Sequence, residues 1–422
     1  MKHFGDITRI DGAKIPVVDC ITGGSPCQGL SIAGKRAGLA DDRSGLFMQQ
    51  IRIVREMRER DKARDRTDHL VRPRFMVWEN VPGAFSSGNP KGADFAAVIE
   101  EIVKICEPGV GVYISIPDSG WPKSGCYYAD DGSWSIAWRV HDAKFWGVPQ
   151  RRKRIALVAD FGGLSAPEIL FERKGLRRYP DPCQTPWEKA TGALRESPVG
   201  SGLDDTLSAG RPAVFDARGH GNGMISPTLT GDHQNRVTDY TALCVGNGQV
   251  GNITMQDLAN TLDTMHDQQA ILTYGPDNNK NGYVGQASAT QACESGGHAE
   301  FCCDQQMTVR RLTPLECERL QGYPDGWTDI GDWTDSNGKK RHTSDTARYK
   351  ALGNSIALPF WFWLLRRISA QYERPATLGS LFDGIGGFPL CWERCNGKGT
   401  ALWASEIEEF PIAVTKRRFG DD

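Results

Sequence analysis

The chain contains no run of eighteen or more apolar residues, which leaves it without a candidate membrane-spanning helix. Its opening residues, Met1-Lys2-His3-Phe4-Gly5-Asp6, lack the apolar core of a secretory signal, so a cytoplasmic protein is expected. No two of its 12 cysteines stand in a CxxC spacing, which removes the usual zinc and dithiol signatures. In a reducing compartment these cysteines are expected as buried thiols rather than disulfides. Charge of one sign is also missing. The 50 basic and 52 acidic residues leave a net charge of −2, and that total gives no support to nucleic-acid binding.

The distribution says more than the total. Basic residues cluster at Arg151-Arg152-Lys153-Arg154, at Arg173-Lys174 with Arg177-Arg178, at Arg310-Arg311 and at Lys416-Arg417-Arg418. A basic cleft on a near-neutral protein still attracts phosphates, although solvated surface charge is the simpler reading of any one cluster. The mixed-sign run over residues 52–74 reads as an exposed helix and loop.

At 422 residues the chain is long enough for two or three domain-sized units. Four short apolar segments, residues 16–22, 74–78, 377–382 and 400–404, each end at a polar or Gly-rich corner and read as buried parallel strands. Residues 46–58 carry apolar side chains at 46, 47, 51, 54 and 57, the spacing of a helix. This alternation predicts an α/β fold: an open, mostly parallel sheet with helices on both faces. Ligands of such sheets bind beyond the carboxyl ends of the strands. Residues 179–308 differ, being rich in Gly, Asn, Asp, Thr and Gln, and read as a loop-rich β module. Thr-Leu pairs at 206–207, 228–229 and 261–262 form a weak repeat there, best read as repeated strand-and-turn units. Beyond it, residues 313–321 look helical, with Thr313 as N-cap and Pro314 in the first turn. The expected division is 1–178 and 345–422 as two parts of one catalytic domain, with 179–344 as a smaller domain.

Three corners carry chemistry. The turn Asp383-Gly384-Ile385-Gly386-Gly387-Phe388 follows a strand and precedes a helix, which allows backbone to approach a cofactor closely. Glu406 ends the next strand 22 residues after Gly384, a spacing that suits a ribose hydroxyl pair. The turn is not GxGxxG, which disfavours a nicotinamide dinucleotide. At the second corner, Ser25-Pro26-Cys27-Gln28 holds a cysteine near the active edge of the sheet. Forming its thiolate at pH 7 costs about 2 kcal/mol for an ordinary thiol, less beside Arg152 or Arg154. The third corner is Glu79-Asn80, where a carboxyl is able to hold a base by its amine and ring nitrogen. Taken singly, Cys27 is a core cysteine, Glu79 a strand-terminating acid, and the alternating cations of Gln150-Arg151-Arg152-Lys153-Arg154 a surface strand with solvated arginines.

Together they resemble the cytosine-5 DNA methyltransferase family. Gly24-Ser25-Pro26-Cys27-Gln28 is similar to its catalytic motif, Glu79-Asn80-Val81 to its Glu-Asn-Val motif, and residues 150–154 to its Gln-x-Arg-x-Arg motif. Residues 310–317 with Gln321-Gly322-Tyr323-Pro324 resemble the segment that follows target recognition. Gly353-Asn354-Ser355 resembles the last cofactor motif, Phe382 to Phe388 and Glu406 the first two, and Phe4-Gly5-Asp6-Ile7 the third. The order departs from the family's, because the Phe-x-Gly-x-Gly-Gly-Phe motif lies near the C-terminus instead of opening the chain. The sequence therefore looks circularly permuted, which leaves Asp6 and Ile7 at a chain end open to fraying.

The resemblance implies a Rossmann-like S-adenosylmethionine-dependent sheet with a small target-recognition domain. It implies Cys27 as nucleophile, with Glu79 and Arg154 on the base, Asn80 ordering the Cys27 corner and Arg152 touching phosphate. S-adenosyl-L-methionine is to be bound by Phe382, Asp383, Gly384, Ile385, Gly386, Gly387, Glu406, Ile407, Asp6, Ile7, Pro26, Leu46, Asn354 and Ser355, with no metal. The implied partner is double-stranded DNA, read in the major groove by a monomer, with a cognate restriction endonuclease in some settings and a bacterial or phage source. A glycine-bearing loop with Lys35-Arg36 is expected to close on the DNA. Alternatives are a transfer-RNA cytosine methyltransferase and a silent DNA-binding homologue.

Overall fold

The structure, a computed structural model, describes residues 1–25, 45–109, 111–171 and 312–420, together with the backbone of five strands between 213 and 311. An eight-stranded sheet organises it, in the order β1 (Lys2–His3), β15 (Ala401–Ser405), β14 (Leu378–Leu381), β2 (Cys20–Gly23), β3 (Phe75–Asn80), β6 (Lys153–Asp160), β5 (Ser135–Asp142), β4 (Ser124–Tyr128). The four expected strands are all present and form its centre: β2 (Cys20–Gly23), β3 (Phe75–Asn80), β14 (Leu378–Leu381) and β15 (Ala401–Ser405). They are short and apolar because both faces are covered, as buried parallel strands require. β1 (Lys2–His3) joins at the edge, parallel to β15.

Only this half is parallel. β6 (Lys153–Asp160) runs antiparallel to β3, and β5 (Ser135–Asp142) and β4 (Ser124–Tyr128) continue antiparallel. The sheet is thus mixed, with five strands in parallel pairing and three added in antiparallel pairing. Nothing between β5 and β6 is long enough for the helical crossover that a parallel pair needs.

Helices cover both faces. On one lie α1 (Leu46–Lys62) and α2 (Ala93–Cys106), whose Phe47, Ile51, Val54, Met57, Phe95 and Ile99 pack with Ile21, Met76 and Trp78 of the strands. On the other lie α3 (Ser165–Leu170), α4 (Pro314–Gln321), α5 (Asp345–Asn354), α6 (Leu358–Ser369), α7 (Gly387–Asn396) and α8 (Glu409–Phe419). Their Ile169, Leu320, Leu352, Phe360, Trp361, Trp392 and Val414 meet Phe75, Val77 and Leu378. α4 has the expected Thr313 N-cap, closed into a capping box by Glu316.

Two charge readings change. Arg58 and Asp61, in the run expected to be exposed, are buried. Arg58 donates to the carbonyls of Val71 and Pro73, and Asp61 accepts from the Arg72 amide, so the helix end is pinned to the strand that follows. Leu312, Cys317, Leu320, Tyr323, Trp327 and Ile330 pack in the same core cluster as Phe75, Val77 and Leu378 of the large sheet. Of the middle module, the structure describes an antiparallel set β11-β8-β7 (Met307–Arg311, Thr241–Gly246, Ala213–Asp216) and a pair β9 (Tyr274–Pro276) with β10 (Gly282–Val284); a second pair, β12 (Asp332–Thr334) with β13 (Lys340–His342), follows α4. The Thr-Leu pairs lie outside the described residues.

The chain ends meet. The Met1 amine lies 3.4 Å from the Gly420 carbonyl oxygen, and Phe4 donates its amide to Ala404 at 2.9 Å. The strand leading to Asp6 and Ile7 is therefore paired in register rather than frayed.

Candidate active site at the strand ends

Five parallel strands end along one edge of the sheet, and Asp6, Glu79, Asn80, Asp383, Gly384 and Glu406, among the described site residues, stand at or just beyond those ends. On the cofactor side, β14 runs into Phe382 and Gly384, both at positive φ (53° and 58°). A Cβ on Gly384 would meet nothing within 4 Å, so its backbone is open to a ligand. Gly386 and Gly387 are glycines for another reason. A Cβ on Gly386 would lie 2.6 Å from the Phe419 ring, and one on Gly387 2.5 Å from the Tyr323 hydroxyl. They let α8 and the turn after α4 close on the loop, whereas close approach of a cofactor was the expectation. Ile385 is likewise a core side chain, and its carbonyl accepts from the Trp327 indole at 2.8 Å.

Glu406 directly follows β15, and its side chain turns back across this loop. Its carboxylate accepts the Gly384 amide at 2.8 Å, and the amides of Ile407 at 2.7 Å and Glu408 at 2.9 Å. Ile407 beside it is 71% exposed, an apolar surface next to an acceptor. Asp6 caps the turn after β1 by accepting from the Thr8 amide and hydroxyl, and Ile7 is buried behind it. Asp383 is buried; Oδ1 accepts from Ser380 at 2.5 Å, while Oδ2 has no hydrogen-bond partner among the described residues.

On the other side, β3 carries Glu79 and Asn80 as its last two residues, within the strand instead of after it. Arg154, second residue of the neighbouring β6, places its Nε 2.9 Å from Glu79 Oε1, and both side chains are largely buried. Glu79 Oε2 would lie 3.0 Å from a Cβ on Gly24, so the glycine at the end of β2 makes room for the carboxylate. Asn80 donates to the Ser25 hydroxyl at 3.3 Å and accepts the Val81 amide at 2.8 Å, and the Trp78 indole donates to the same hydroxyl at 3.0 Å. Ser25 is thus locked from two sides, directly before Pro26 and Cys27. Pro26, Cys27 and the loop with Lys35-Arg36 lie outside the described residues.

Arg152 corrects an expectation. It is buried, and its guanidinium donates to the main-chain carbonyls of Gly353 at 3.2 Å and of Ser355. A guanidinium so placed joins the start of β6 to the end of α5; it is not presented to a phosphate. Arg418, in another basic cluster, donates to the Trp327 and Asp329 carbonyls. Asn354 is exposed, and Ser355 is buried with its hydroxyl between Gln321 Oε1 and the Leu352 carbonyl. Leu46 opens α1, half-buried.

Sequence reasoning gave no role to Ser25, Gln50 or Tyr323. Gln50 projects from α1 over the β2 end, donating to the Val77 carbonyl at 3.1 Å. Ser25 and Tyr323 carried a signal, since they stand inside the cysteine motif and the Gln321-Gly322-Tyr323-Pro324 motif, whereas Gln50 carried none.

Residues 1–105 and 127–370 match the model of the C-5 cytosine-specific DNA methylase family. The chain belongs to that family. The match leaves out residues 371–422, which supply β14 and β15. The chain is 28% identical over 433 residues to a DNA N-6-adenine-methyltransferase of Escherichia phage P1, covering 87% of this chain and 55% of that protein. It is 25% identical over 361 residues to type II methyltransferase M1.ScrFI of Lactococcus lactis subsp. cremoris, covering 85% and 64%. It therefore spans less than two thirds of either relative. Among solved structures, the Entamoeba histolytica methyltransferase EhMeth aligns over 84% of this chain and 77% of its own, at 12% identity and a TM-score of 0.41.

Membership of this family implies a methyl-donating cofactor, and the residues present fit one. Gly384 offers open backbone, Glu406 an acceptor carboxylate, Ile407 an exposed apolar side chain and Asp383 an unpartnered buried oxygen. Among the described residues no group of acidic, His or Cys side chains is arranged to hold a metal, and no helix is long and apolar enough to cross a membrane.

Proposed function

We propose that the protein is a DNA (cytosine-5-)-methyltransferase using S-adenosylmethionine, with Cys27 as nucleophile. The observation that carries this reading is the Glu79–Arg154 ion pair, 2.9 Å across two strand ends beside the Gly24–Ser25 corner. A carboxylate and a guanidinium side by side match the amine, ring nitrogen and carbonyl on one edge of cytosine.

The target base leaves the duplex at a cost of a few kcal/mol. Glu79 accepts from its exocyclic amine and supports a proton on the adjacent ring nitrogen, while Arg154 donates to the carbonyl. That protonation makes ring carbon 6 electrophilic, and the Cys27 thiolate adds there. The electron pair released onto carbon 5 takes the methyl group. Loss of the carbon-5 proton to a base then expels Cys27 and restores the ring. S-adenosylmethionine, when bound, supplies an electrophilic methyl on a sulfonium. Asn80 holds Ser25, and through it the approach of Cys27. Residues within 179–308 read the target bases in the major groove. A bacterial and a phage relative favour a modification enzyme of that setting. We propose that it is a monomer acting in the cytoplasm on double-stranded DNA, with a restriction endonuclease as its cognate partner where one is encoded.

The motif order supports a circular permutation within this reading. β14 and β15 come last in sequence yet sit between β1 and β2, and Met1 meets Gly420. A variant with residues 374–420 moved ahead of Met1 is expected to fold and bind cofactor; failure to fold contradicts the permutation.

The test is bisulfite sequencing of plasmid from cells expressing wild type or Cys27→Ser, with nucleosides measured by mass spectrometry. Methylcytosine at one recurrent sequence, absent in the variant, supports the reading. N6-methyladenine, the modification in the name of the phage P1 relative, overturns it, as does methylation of transfer RNA alone or cofactor binding without DNA modification.

A further inference from the structure

Asp383 stands inside the turn that wraps the cofactor side, between two residues at positive φ, Phe382 and Gly384. Its amide is taken by the Ser405 carbonyl at 3.0 Å, which fixes the residue against β15. One carboxyl oxygen accepts from Ser380, which in turn lies 3.4 Å from the Thr22 hydroxyl. The other, Oδ2, is buried with no partner among the described residues. Among the described residues no cation is paired with this carboxyl, and the titratable groups that face it are Glu406, directly after β15, and Tyr323 from the turn after α4, both neutral or negative. Arg152 lies behind Tyr323 and Ser355, occupied by main-chain carbonyls.

A buried carboxyl next to another acid and short of a partner is an expensive place for a negative charge. Burial, helped by Glu406 and opposed by the Ser380 hydroxyl, pushes Asp383 up to about 8. At neutral pH the group is then mostly a neutral acid. The ligand proposed for this edge carries a positive ammonium on its amino-acid moiety, the charge this carboxyl lacks. Resting on the cofactor reading above, we propose that Asp383 receives that ammonium group at Oδ2, and that the contact expels the carboxyl proton to solvent, so that cofactor binding releases one proton. Charge balances: a neutral acid and a cationic ligand become an ion pair, with one proton in the buffer.

The linkage has a definite direction. A proton competes with the ammonium for Asp383 while the free carboxyl is protonated. Affinity therefore rises with pH below about 8, close to tenfold per pH unit for a single linked proton. Above that value the Asp383 contribution levels off.

The experiment is isothermal titration calorimetry of the full chain with S-adenosylhomocysteine, which carries the same ammonium group, at pH 6.5 in phosphate and in imidazole. The heats should differ by close to one proton released per ligand bound. Asp383→Asn, nearly isosteric and checked by thermal melting, should still bind but release none and lose the pH slope. Wild-type binding without proton release overturns the proposal, as does release that survives in the folded Asn variant. If the folded wild type binds no S-adenosylhomocysteine in either buffer, the cofactor reading itself fails and takes this one with it.

Discussion

The two ends of the site are built from different materials. On the cofactor side, backbone does the positioning: amides of Gly384, Ile407 and Glu408 converge on Glu406, and two glycines exist so that α8 and Tyr323 can close on the loop. On the reactive side, side chains do it: Glu79 on Arg154, Asn80 and Trp78 on Ser25. A backbone-built site fails by changes of shape, and a side-chain-built site by changes of chemistry. Substitutions should therefore separate the two.

The largest effect is expected at Glu79→Gln, which keeps volume and removes the charge from the pair with Arg154. Methyl transfer should fall by about 10²–10⁴-fold, while cofactor affinity by calorimetry stays within a factor of two or so of wild type. An equal loss of both would erase the distinction between the ends.

Next comes the joint between them. Asp19, at the start of β2, accepts from Arg374 at 2.7 and 2.8 Å and from the Thr377 amide and hydroxyl, just before β14. Burial opposes its charge, but Arg374 and Thr377 outweigh that and hold the carboxyl below its usual value. Asp19→Ala should cost about 2–4 kcal/mol by chemical denaturation, short of a fully buried pair because Arg374 is half exposed. The depressed pKa fixes the sign. The Asp19 contribution is present above about pH 4 and disappears as pH falls through the lower folded value, so the gap to wild type should close in acid.

The strand ends were legible in the sequence because each buried strand is a short apolar run stopped by Gly, Pro or a polar residue. Ile21, Trp78, Leu381 and Ala404 are the last apolar residues of those strands. What was not legible depends on partners far along the chain. Arg152 reads as a free cation until Gly353 and Ser355, some 200 residues away, present their carbonyls to it. Arg58 and Asp61 read as a solvated face, although the turn before β3 folds over them. Gly386 and Gly387 read as cofactor glycines, and only the packing of Phe419 and Tyr323 explains them. The antiparallel β4–β6 half was not read from the sequence, since pairing direction is set by connection length and not by residue type.

The glycines sharpen the comparison further. Gly384 and Gly386 share positive φ, so alanine at either meets left-handed strain of about 1–2 kcal/mol. Only at Gly386 does the new methyl also collide with Phe419, adding about 1–3 kcal/mol. Thermal melts should therefore rank Gly386→Ala clearly below Gly384→Ala, whereas calorimetry should find the weaker cofactor binding in folded Gly384→Ala. The smallest effect is expected at Lys350→Ala. Its bond to Glu408 at 2.9 Å is half exposed on both sides and should contribute no more than about 0.5 kcal/mol.

The central claim is that Cys27 attacks a cytosine held by Glu79 and Arg154. It is tested most directly with a duplex bearing 5-fluorocytosine at the methylated position found by bisulfite sequencing. Fluorine on carbon 5 blocks the proton loss that expels the thiolate, so the intermediate cannot resolve. The account predicts a denaturation-resistant protein–DNA adduct that requires S-adenosylmethionine, maps by mass spectrometry to the Cys27 peptide and is absent in Cys27→Ser. Methylation of ordinary DNA without such an adduct, or an adduct on another cysteine, contradicts it.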